Sequence, residues 1–480
     1  MKRVAPVPFV LLLLLALAAL FVPGKPTAAL EGDALKTAQA AINSGDVAWM
    51  LTASALVLLM TPGLSFFYGG MVGFKNVVST MLQSVVALGV ISMVWVLVGF
   101  SLAFGESIEI AGKGVVGNPL SFLFFDNVSS DLPSPLCATI PLMLFALFQL
   151  KFAIITPALI TGSFAERVRF SSYLLFMVLF SLFIYAPLAH WTWHPDGFLN
   201  KWGVKDFAGG TVVHMSAGWA ALAGAIVLGR RKSHVDGHPH EPANIPYVLL
   251  GTGMLWFGWF GFNAGSAFGA NGVACLAFGT TNTASASAML GWLFFDWVRG
   301  KAPSAMGACI GAVVGLVAIT PAAGFVTVRE SLVIGLVASL VSNVAVHWKS
   351  KSTLDDTLDV FPCHGVGGMV GMVLTGVFAK GVGLTSGQTR TFGYHLLALV
   401  IVSAYSFLGS FALYKITDLL IPLRVTKEQE AAGLDLSQHG ETALCPRLLG
   451  LEPAETPATI LAPVEPGVVR LPARALAEPG

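Results

Sequence analysis

The sequence predicts an all-α protein that crosses a membrane many times, and its composition and long apolar runs are the reasons. Of its 480 residues, 55% are hydrophobic and 11% are charged, whereas a soluble protein of this length would carry about 25% charged residues. Several apolar runs reach the roughly 20 residues needed to cross about 30 Å of hydrocarbon. The net charge of +1 favours neither nucleic acid nor an acidic partner. A lipid bilayer is therefore the expected environment.

The N-terminus is typical of a cleavable secretory signal peptide. Lys2 and Arg3 precede a short apolar core, and the small residues Thr27 and Ala29 predict cleavage just after Ala29. An uncleaved anchor helix is the alternative. In either case the polar segment that follows would lie outside the cytoplasmic (inner) membrane.

Eleven further segments are predicted to span the membrane. Basic residues follow spans 1, 3, 5, 7 and 9 in short connections, whereas the other side has longer polar loops. Because Lys and Arg are enriched in cytoplasmic loops, this pattern places the N-terminus outside and the C-terminus in the cytoplasm. Frequent Gly and Ala within the spans predict closely packed helices. The predicted spans are residues 47–71, 77–104, 136–163, 170–193, 208–229, 245–268, 273–297, 304–323, 331–348, 361–379 and 393–420.

Two histidines inside Gly-rich spans give the main indication of function. His214 lies eight residues after Asp206, and His364 lies eight residues after Asp356. Ionisable groups inside a membrane usually mark a transport path or a proton relay, and imidazole can pass a proton near neutral pH. An inverted repeat of spans 1–5 and 6–10, with span 11 outside it, would bring both histidines to the midplane. Two core histidines bonded to backbone carbonyls, or a bis-histidine haem site, are the alternatives.

Aromatic residues near the outer ends of the spans suggest a site for a small cation. Phe148 and Phe152 are four residues apart and so share a helix face, and Trp193 ends span 4. Phe262 belongs to a Gly-spaced aromatic run that Ser266 follows. Aromatic faces attract cations, and a hydroxyl accepts hydrogen bonds from N–H groups. From the residues alone, an interfacial aromatic belt and helix packing are the stronger interpretation.

No metal site and no cofactor are predicted. The five cysteines lie far apart without a CxxC pair, which indicates packing thiols. His234, His238 and His240 have a spacing loosely suited to a metal, but a solvated cytoplasmic loop is the preferred interpretation.

Six stretches together resemble the ammonium transporter (Amt) family of the Amt/Rh superfamily. They are long, they occur in the family's order, and they run from about span 1 to about Ala443. The stretches read FFYGGMVGFKNV, FAIITPALITGSFAERVRFS, DFAGGTVVHMSAG, WFGWFGFNAGSA, DVFPCHGVGG and RVTKEQEAAGLDLSQHGE. Lys151 departs from the family's pattern, because relatives carry an uncharged residue there.

The resemblance implies a homotrimeric transporter or channel of nitrogen metabolism, with one pore per subunit, and not an enzyme. It implies a stacked gate of Phe152 and Phe262 and a twin-histidine pair of His214 and His364. The resemblance also implies a supporting electrostatic role for Asp206. The implied ammonium recruitment site consists of Phe148, Phe152, Trp193 and Ser266.

The predicted function is ammonium uptake. Ammonium would be recruited outside and would lose its proton, and ammonia would cross, with the proton either relayed by the histidines or left behind. An Rh-like neutral ammonia channel and an ammonium sensor are alternatives, as is a haem-binding electron-transfer subunit.

We predict four regions along the chain. Residues 1–29 form a signal peptide, and residues 30–423 form the transmembrane domain. Residues 424–450 form a cytoplasmic regulatory segment that resembles the Amt tail that communicates with PII-type proteins, and residues 451–480 form a Pro/Ala-rich, disordered tail.

Overall fold

A computed structural model describes residues 6–22, 31–237 and 240–443, and within these ranges the chain is mostly helical. The predicted cleavage site after Ala29, His238 and the predicted tail at 451–480 lie outside the described residues. The helices are α1 (Pro6–Phe21), α2 (Gly32–Ala40), α3 (Ser44–Met71), α4 (Phe74–Phe104), α5 (Leu142–Ser163), α6 (Phe170–Trp193), α7 (Gly210–Leu228), α8 (Ile245–Gly265), α9 (Gly272–Val298), α10 (Ala305–Ile319), α11 (Val328–Ser350), α12 (Phe361–Phe378), α13 (Thr389–Leu420) and α14 (Lys427–Ala432).

The multi-pass membrane architecture is confirmed by the apolar helices. Within the described ranges, nine helices are long and apolar enough to span a membrane: α3 to α8 and α11 to α13. The other two predicted spans also form helices, but α10 has only 15 residues, and α9 contains a polar run from Thr280 to Ser287. The count of eleven therefore stays a prediction.

The connection between α4 and α5 contains two antiparallel hairpins, which corrects one predicted boundary. Strands β1 (Ser107–Ile110) and β2 (Lys113–Gly117) form the first hairpin, and β3 (Pro133–Ser134) and β4 (Cys137–Pro141) form the second. The predicted third span began at residue 136, but α5 begins at Leu142 with Pro141 as its N-cap. Proline lacks the N–H that a helix interior requires, so it is tolerated at the start of a helix instead.

Glycines allow the two histidine-bearing helices, α7 and α12, to touch. A Cβ atom on Gly218 would lie 2.1 Å from the backbone nitrogen of Gly365, so no larger residue fits at this crossing. The close helix packing predicted from the small residues is present here. This contact brings the first turns of α7 and α12 together.

Both helices begin in the same way, with an aspartate ahead of a π-helical turn that contains the histidine. The π turns are Gly210–Met215 in α7 and Phe361–Val366 in α12. The Asp356 carboxylate accepts hydrogen bonds from the amides of Val360 (3.1 Å) and Phe361 (2.8 Å). Asp206 caps α7 in the same manner. Caps of this kind satisfy amides that have no partner within the helix and are favoured by the helix dipole.

Buried ion pairs connect the loop after α7 to the loop after α5 and to the loop that precedes α12. Arg231 donates to Glu166 Oε2 (2.7 Å) and, through Nη2, to Asp355 Oδ1 (3.0 Å). Burial alone would raise the pKa of Asp355, but hydrogen bonds from Arg231 and the charge of Arg167 lower it to about 2. These loops are therefore held together by carboxylates that stay ionised at neutral pH.

The segment after α13 folds back onto the start of α4. Asp435 is 2% exposed, and its Oδ1 accepts a hydrogen bond from the Ser79 amide (2.7 Å). The Leu434 amide donates to Asn76 Oδ1 (2.8 Å). Burial raises the pKa of Asp435 above its ordinary value. The tail thus supplies polar groups to the first turn of a predicted membrane span.

Candidate functional site

A cavity of about 310 Å³ lies at the end of the fold that carries Trp193, the outer end in the predicted topology. Phe152 from α5, Trp193 from α6 and Ser266 from the end of α8 line it together. The fourth predicted residue, Phe148, is fully buried and does not appear in the wall of the cavity. Its ring packs edge-on against Phe152 at 5.0 Å between centroids. The structure therefore brings the four residues together, with Phe148 behind Phe152.

Trp193 and Ser266 are held by backbone carbonyls. The indole Nε1 of Trp193 donates to the carbonyl oxygen of Asp206 (3.1 Å), and its ring meets Phe152 edge-on at 5.9 Å. Ser266 Oγ donates to the Phe262 carbonyl (2.9 Å). Because this bond uses the one hydroxyl proton, the remaining lone pairs of Ser266 can only accept. An ammonium ion has N–H groups that can donate a hydrogen bond to such an oxygen.

Asp206 is a buried helix cap and does not offer a free carboxylate to the cavity. Its Oδ1 accepts from the amides of Gly209 (2.8 Å) and Gly210 (2.6 Å), and its Oδ2 accepts from the Thr211 amide (2.7 Å) and hydroxyl. The same residue positions Trp193 through its carbonyl. Asp206 thus organises the start of α7 with its carboxylate and holds the adjacent cavity wall through its carbonyl.

Phe152 and Phe262 close the inner end of this cavity. Their ring centroids are 4.1 Å apart with an interplanar angle of 33°, and both side chains are at most 1% exposed. Offset ring pairs at this distance are favourable contacts. A solute that moves past them must displace at least one ring.

Below the two rings lies a narrow space of about 10 Å³, lined by the two histidines. A space of this size holds about one water molecule. The other lining groups are large and apolar apart from the Trp259 indole. They are Met60, Leu64, Phe67, Ile155, Leu159, Val213, Leu255, Trp259, Phe262 and Val313.

His214 and His364 touch through equivalent ring nitrogens. Their Nδ1 atoms are 3.3 Å apart, and both rings are almost fully buried. One Nδ1 must carry a proton and the other a lone pair for this contact to be a hydrogen bond. The predicted apposition of the two histidines is therefore present.

Thr320 decides which histidine donates. Its hydroxyl donates to the Leu316 carbonyl (2.7 Å) and accepts from Trp259 Nε1 (2.9 Å). His214 Nε2 also lies 3.3 Å from this oxygen. Since the single hydroxyl proton is already used, His214 must donate from Nε2 and accept at Nδ1. It follows that His364 donates from Nδ1 and keeps a lone pair on Nε2.

Comparison with known proteins identifies the family. The model of the ammonium transporter family matches residues 48–444. The chain belongs to the ammonium transporter family. It is 45% identical to an ammonium transporter of Bacillus subtilis, over 83% of this chain and 98% of the relative. It is 42% identical to ammonium transporter Amt1 of Archaeoglobus fulgidus, over 84% of this chain and the whole of that protein.

Solved structures of the family have the same fold. Mep2 of Candida albicans superposes with a TM-score of 0.76 at 33% identity, over 82% of this chain and 88% of Mep2. A protein described as a sensor Amt protein superposes with a TM-score of 0.76 at 30% identity, over 82% of this chain and 98% of that chain. The predictions of the family, of ammonium transport and of a transporter in place of an enzyme are confirmed.

Three polar residues at this transporter's site were not singled out from the sequence. Trp259 precedes Phe262 by three residues, so helical spacing could have placed it on the pore face. Gln149 lines the outer cavity, and its amide oxygen is buried without a donor among the described residues. Thr320 had no local signal, because it follows α10 and reaches the histidines only in the folded protein.

Lys151, which departs from the family's pattern, and the described histidines of the loop after α7 lie outside the walls of both cavities. Lys151 is half-buried on α5 and is not among the residues that line either cavity. In the loop after α7, His240 Nε2 is 2.7 Å from the Met71 carbonyl, and His234 Nδ1 is 3.6 Å from Asp355 Oδ1. These loop histidines are engaged by protein groups.

Proposed function

We propose that this chain takes up ammonium across the cytoplasmic membrane by binding NH4+ in the outer cavity, removing its proton and conducting NH3 past the histidine pair. The observation that carries the proposal is the contact of His214 and His364 in a narrow apolar space directly below the Phe152–Phe262 pair. Ionisable side chains are costly inside a membrane, and where they occur they usually mark a transport path or a proton relay.

The outer cavity offers an ammonium ion two kinds of favourable contact. The faces of Phe152 and Trp193 attract a cation by about 0.5–2 kcal/mol each, more when water is excluded. Ser266 offers an oxygen that can only accept, and a hydrogen bond from a charged donor contributes about 1.5–3 kcal/mol. Potassium ions lack N–H donors, so the Ser266 contact favours ammonium over them.

The narrow space below the rings favours a neutral solute. An ion that enters it loses its water and meets mainly hydrocarbon, which is costly without a compensating charge. Ammonia is neutral and close to water in size, and it can accept or donate at the histidine nitrogens. Loss of the proton before the gate is therefore the easier route, and the proton must be left behind or carried separately.

An inward relay starts from the tautomers opposite to those that Thr320 favours, with His214 protonated on Nδ1 and His364 protonated on Nε2, so the pair must first leave its resting arrangement. When a proton arrives at Nε2 of His214, the Nδ1 proton of His214 can pass to Nδ1 of His364, which releases its own Nε2 proton on the other side. The chain is then left with His214 protonated on Nε2 and His364 on Nδ1, the arrangement that Thr320 favours. A return of the pair to its starting tautomers completes the cycle.

The same geometry argues against a haem between the histidines. The two Nδ1 atoms are in direct contact at 3.3 Å, and Trp259 stacks on the ring of His214 at 5.4 Å. A porphyrin would have to enter between nitrogens that bind each other. Electron transfer through a bis-histidine haem is therefore the weaker interpretation.

Proteoliposomes with an inward ammonium gradient test the proposed function. Current and internal pH are recorded together, with protein-free liposomes as the control. An inward current carried by ammonium supports a relayed proton, whereas a pH rise without current indicates the Rh-like neutral channel. Absence of both would contradict transport.

An ammonium sensor is the second candidate, because a solved protein described as a sensor Amt protein shares the fold. A sensor would bind ammonium in the outer cavity but support little flux. Calorimetric binding to the purified protein, measured beside the liposome flux, separates the two functions. Binding without flux favours the sensor.

The membrane topology and assembly complete the proposal. We infer eleven spans in an inverted five-helix repeat plus α13, because α7 and α12 begin with the same aspartate cap and π turn. The N-terminus lies outside and the C-terminus in the cytoplasm. We infer that α1, whose apolar side chains from Val10 onward are mostly exposed, belongs to a cleaved signal peptide. Exposed apolar faces of the helices suit a homotrimer in the bilayer, which mass measurement of the purified complex tests.

The segment 424–450 is proposed as the regulatory contact for a PII-type protein. Its contacts with the first turn of α4 provide the physical link, since a partner that pulls on Asp435 removes hydrogen-bond acceptors from that turn. Arg424 also joins the tail to α7 by donating to the Leu228 carbonyl (2.9 Å). Displacement of the tail would thus alter two helices that surround the pore.

A further inference from the structure

The wall of the outer cavity carries two charged residues, Lys205 and Asp206. The carboxylate of Asp206 is buried and is compensated by the amides at the start of α7. Lys205 is half-buried, and within the described part of the chain its ammonium group has neither an ion pair nor a hydrogen bond. The cavity wall therefore includes one lysine whose charge no group among the described residues balances.

The backbone holds Lys205 in this wall. Its amide donates to Nε2 of His395 (3.0 Å), a buried residue of α13. The carbonyl of the next residue, Asp206, accepts the indole proton of Trp193 (3.1 Å). Lys205 is thus tied beside the aromatic ring proposed to recruit the cation.

Two other lysines near this end of the molecule, Lys201 and Lys113, have partners. Lys201 Nζ lies 3.2 Å from Asp196 Oδ1 and 3.4 Å from Glu109 Oε1. Lys113 Nζ lies 5.5 Å from the centroid of the Trp202 ring. Lys205 therefore differs from Lys201 and Lys113: it lines the cavity, and among the described residues its ammonium group has neither an ion pair nor a ring contact.

We propose that Lys205 sets the ammonium affinity of the outer cavity by repelling the incoming cation, so that binding is weaker than the aromatic rings and Ser266 alone would allow. The inference rests on the proposed function, because it concerns the cation bound in the outer cavity. Like charges that share a partly desolvated space repel more strongly than in bulk water. Lys205 thus acts as an affinity-determining residue without contacting the histidine pair.

A charge series at this position tests the proposal. Initial ammonium flux and calorimetric binding are measured for K205Q, K205E and the charge-retaining control K205R. K205Q should lower KM and Kd about fivefold, which corresponds to about 1 kcal/mol. K205E should lower both further, and K205R should match the wild type. Since charges are screened over about 8 Å at 0.15 M ionic strength, added sodium chloride should narrow the difference between K205Q and wild type.

Equal Kd values for K205Q and wild type, or an equal shift in K205R and K205Q, would overturn the role of Lys205. The binding measurement separates this outcome from a failure of the proposed transport. If Kd follows the charge of residue 205 but no variant supports flux, the transport proposal fails while Lys205 keeps its role. If the wild type transports ammonium and Kd ignores the charge, only the role of Lys205 fails.

Discussion

Replacing Thr320 with valine should raise the proton current while leaving ammonia conduction intact. The Thr320 hydroxyl accepts from Trp259 Nε1 (2.9 Å) and lies 3.3 Å from His214 Nε2. Valine keeps the branched shape but removes the acceptor. Two buried N–H groups then lose their partner, and each such loss costs about 1–3 kcal/mol.

The histidine pair can relieve part of this cost by changing its tautomers. If His214 moves its proton from Nε2 to Nδ1, the hydrogen bond to His364 survives with its direction reversed. The balance between the two tautomer states would then shift by about 1 kcal/mol or more, which is at least roughly a fivefold change in population. Because the inward relay starts from the tautomers that Thr320 disfavours, and T320V populates them more, the proton current should rise by about fivefold.

The assay compares T320V with T320S in the same liposomes. T320S keeps the hydroxyl and controls for packing, and thermal unfolding of both variants controls for folding. Nitrogen-15 spectra of the imidazoles report the tautomers directly. Wild-type current in T320V, or an equal rise in T320S and T320V, would refute the assignment of the tautomers by Thr320.

Three further predictions concern the other parts of the site. His214→Leu and His364→Leu should abolish the proton-coupled current but need not stop the flux of neutral ammonia. His364→Glu should retain more current than His364→Leu because a titratable group remains. Wild-type currents in both leucine variants would mean that the two histidines serve only packing. Trp193→Leu should raise the KM for ammonium about 2- to 30-fold, matching the loss of about 0.5–2 kcal/mol of cation attraction, and Ser266→Ala should raise it as well; unchanged binding in both would remove the recruitment site. Truncation at Arg424 should alter the ammonium flux or abolish binding of a PII-type protein, measured by a liposome flux assay and a pull-down. Removal of residues 451–480 should change neither. Wild-type flux and wild-type binding after truncation at Arg424 would contradict the regulatory role.

Local sequence was sufficient for the parts of this protein that depend on one segment at a time. Apolar runs predict membrane helices because a single helix satisfies all of its own backbone hydrogen bonds in lipid. An aspartate eight residues before each histidine predicted two similar helix starts, and both caps are present. The family followed from long stretches of sequence, and the match over residues 48–444 agrees with it.

Tertiary structure decided which side chains of those segments meet. On α5, Gln149 lines the outer cavity whereas the neighbouring Phe148 is buried behind it, because adjacent helix residues point about 100° apart and only the packing of α5 selects the inward face. The contact of His214 with His364 depends on the crossing at Gly218 and Gly365, which are distant in sequence. Thr320 reaches His214 from a third helix, so the direction of the histidine hydrogen bond is a property of the folded protein alone.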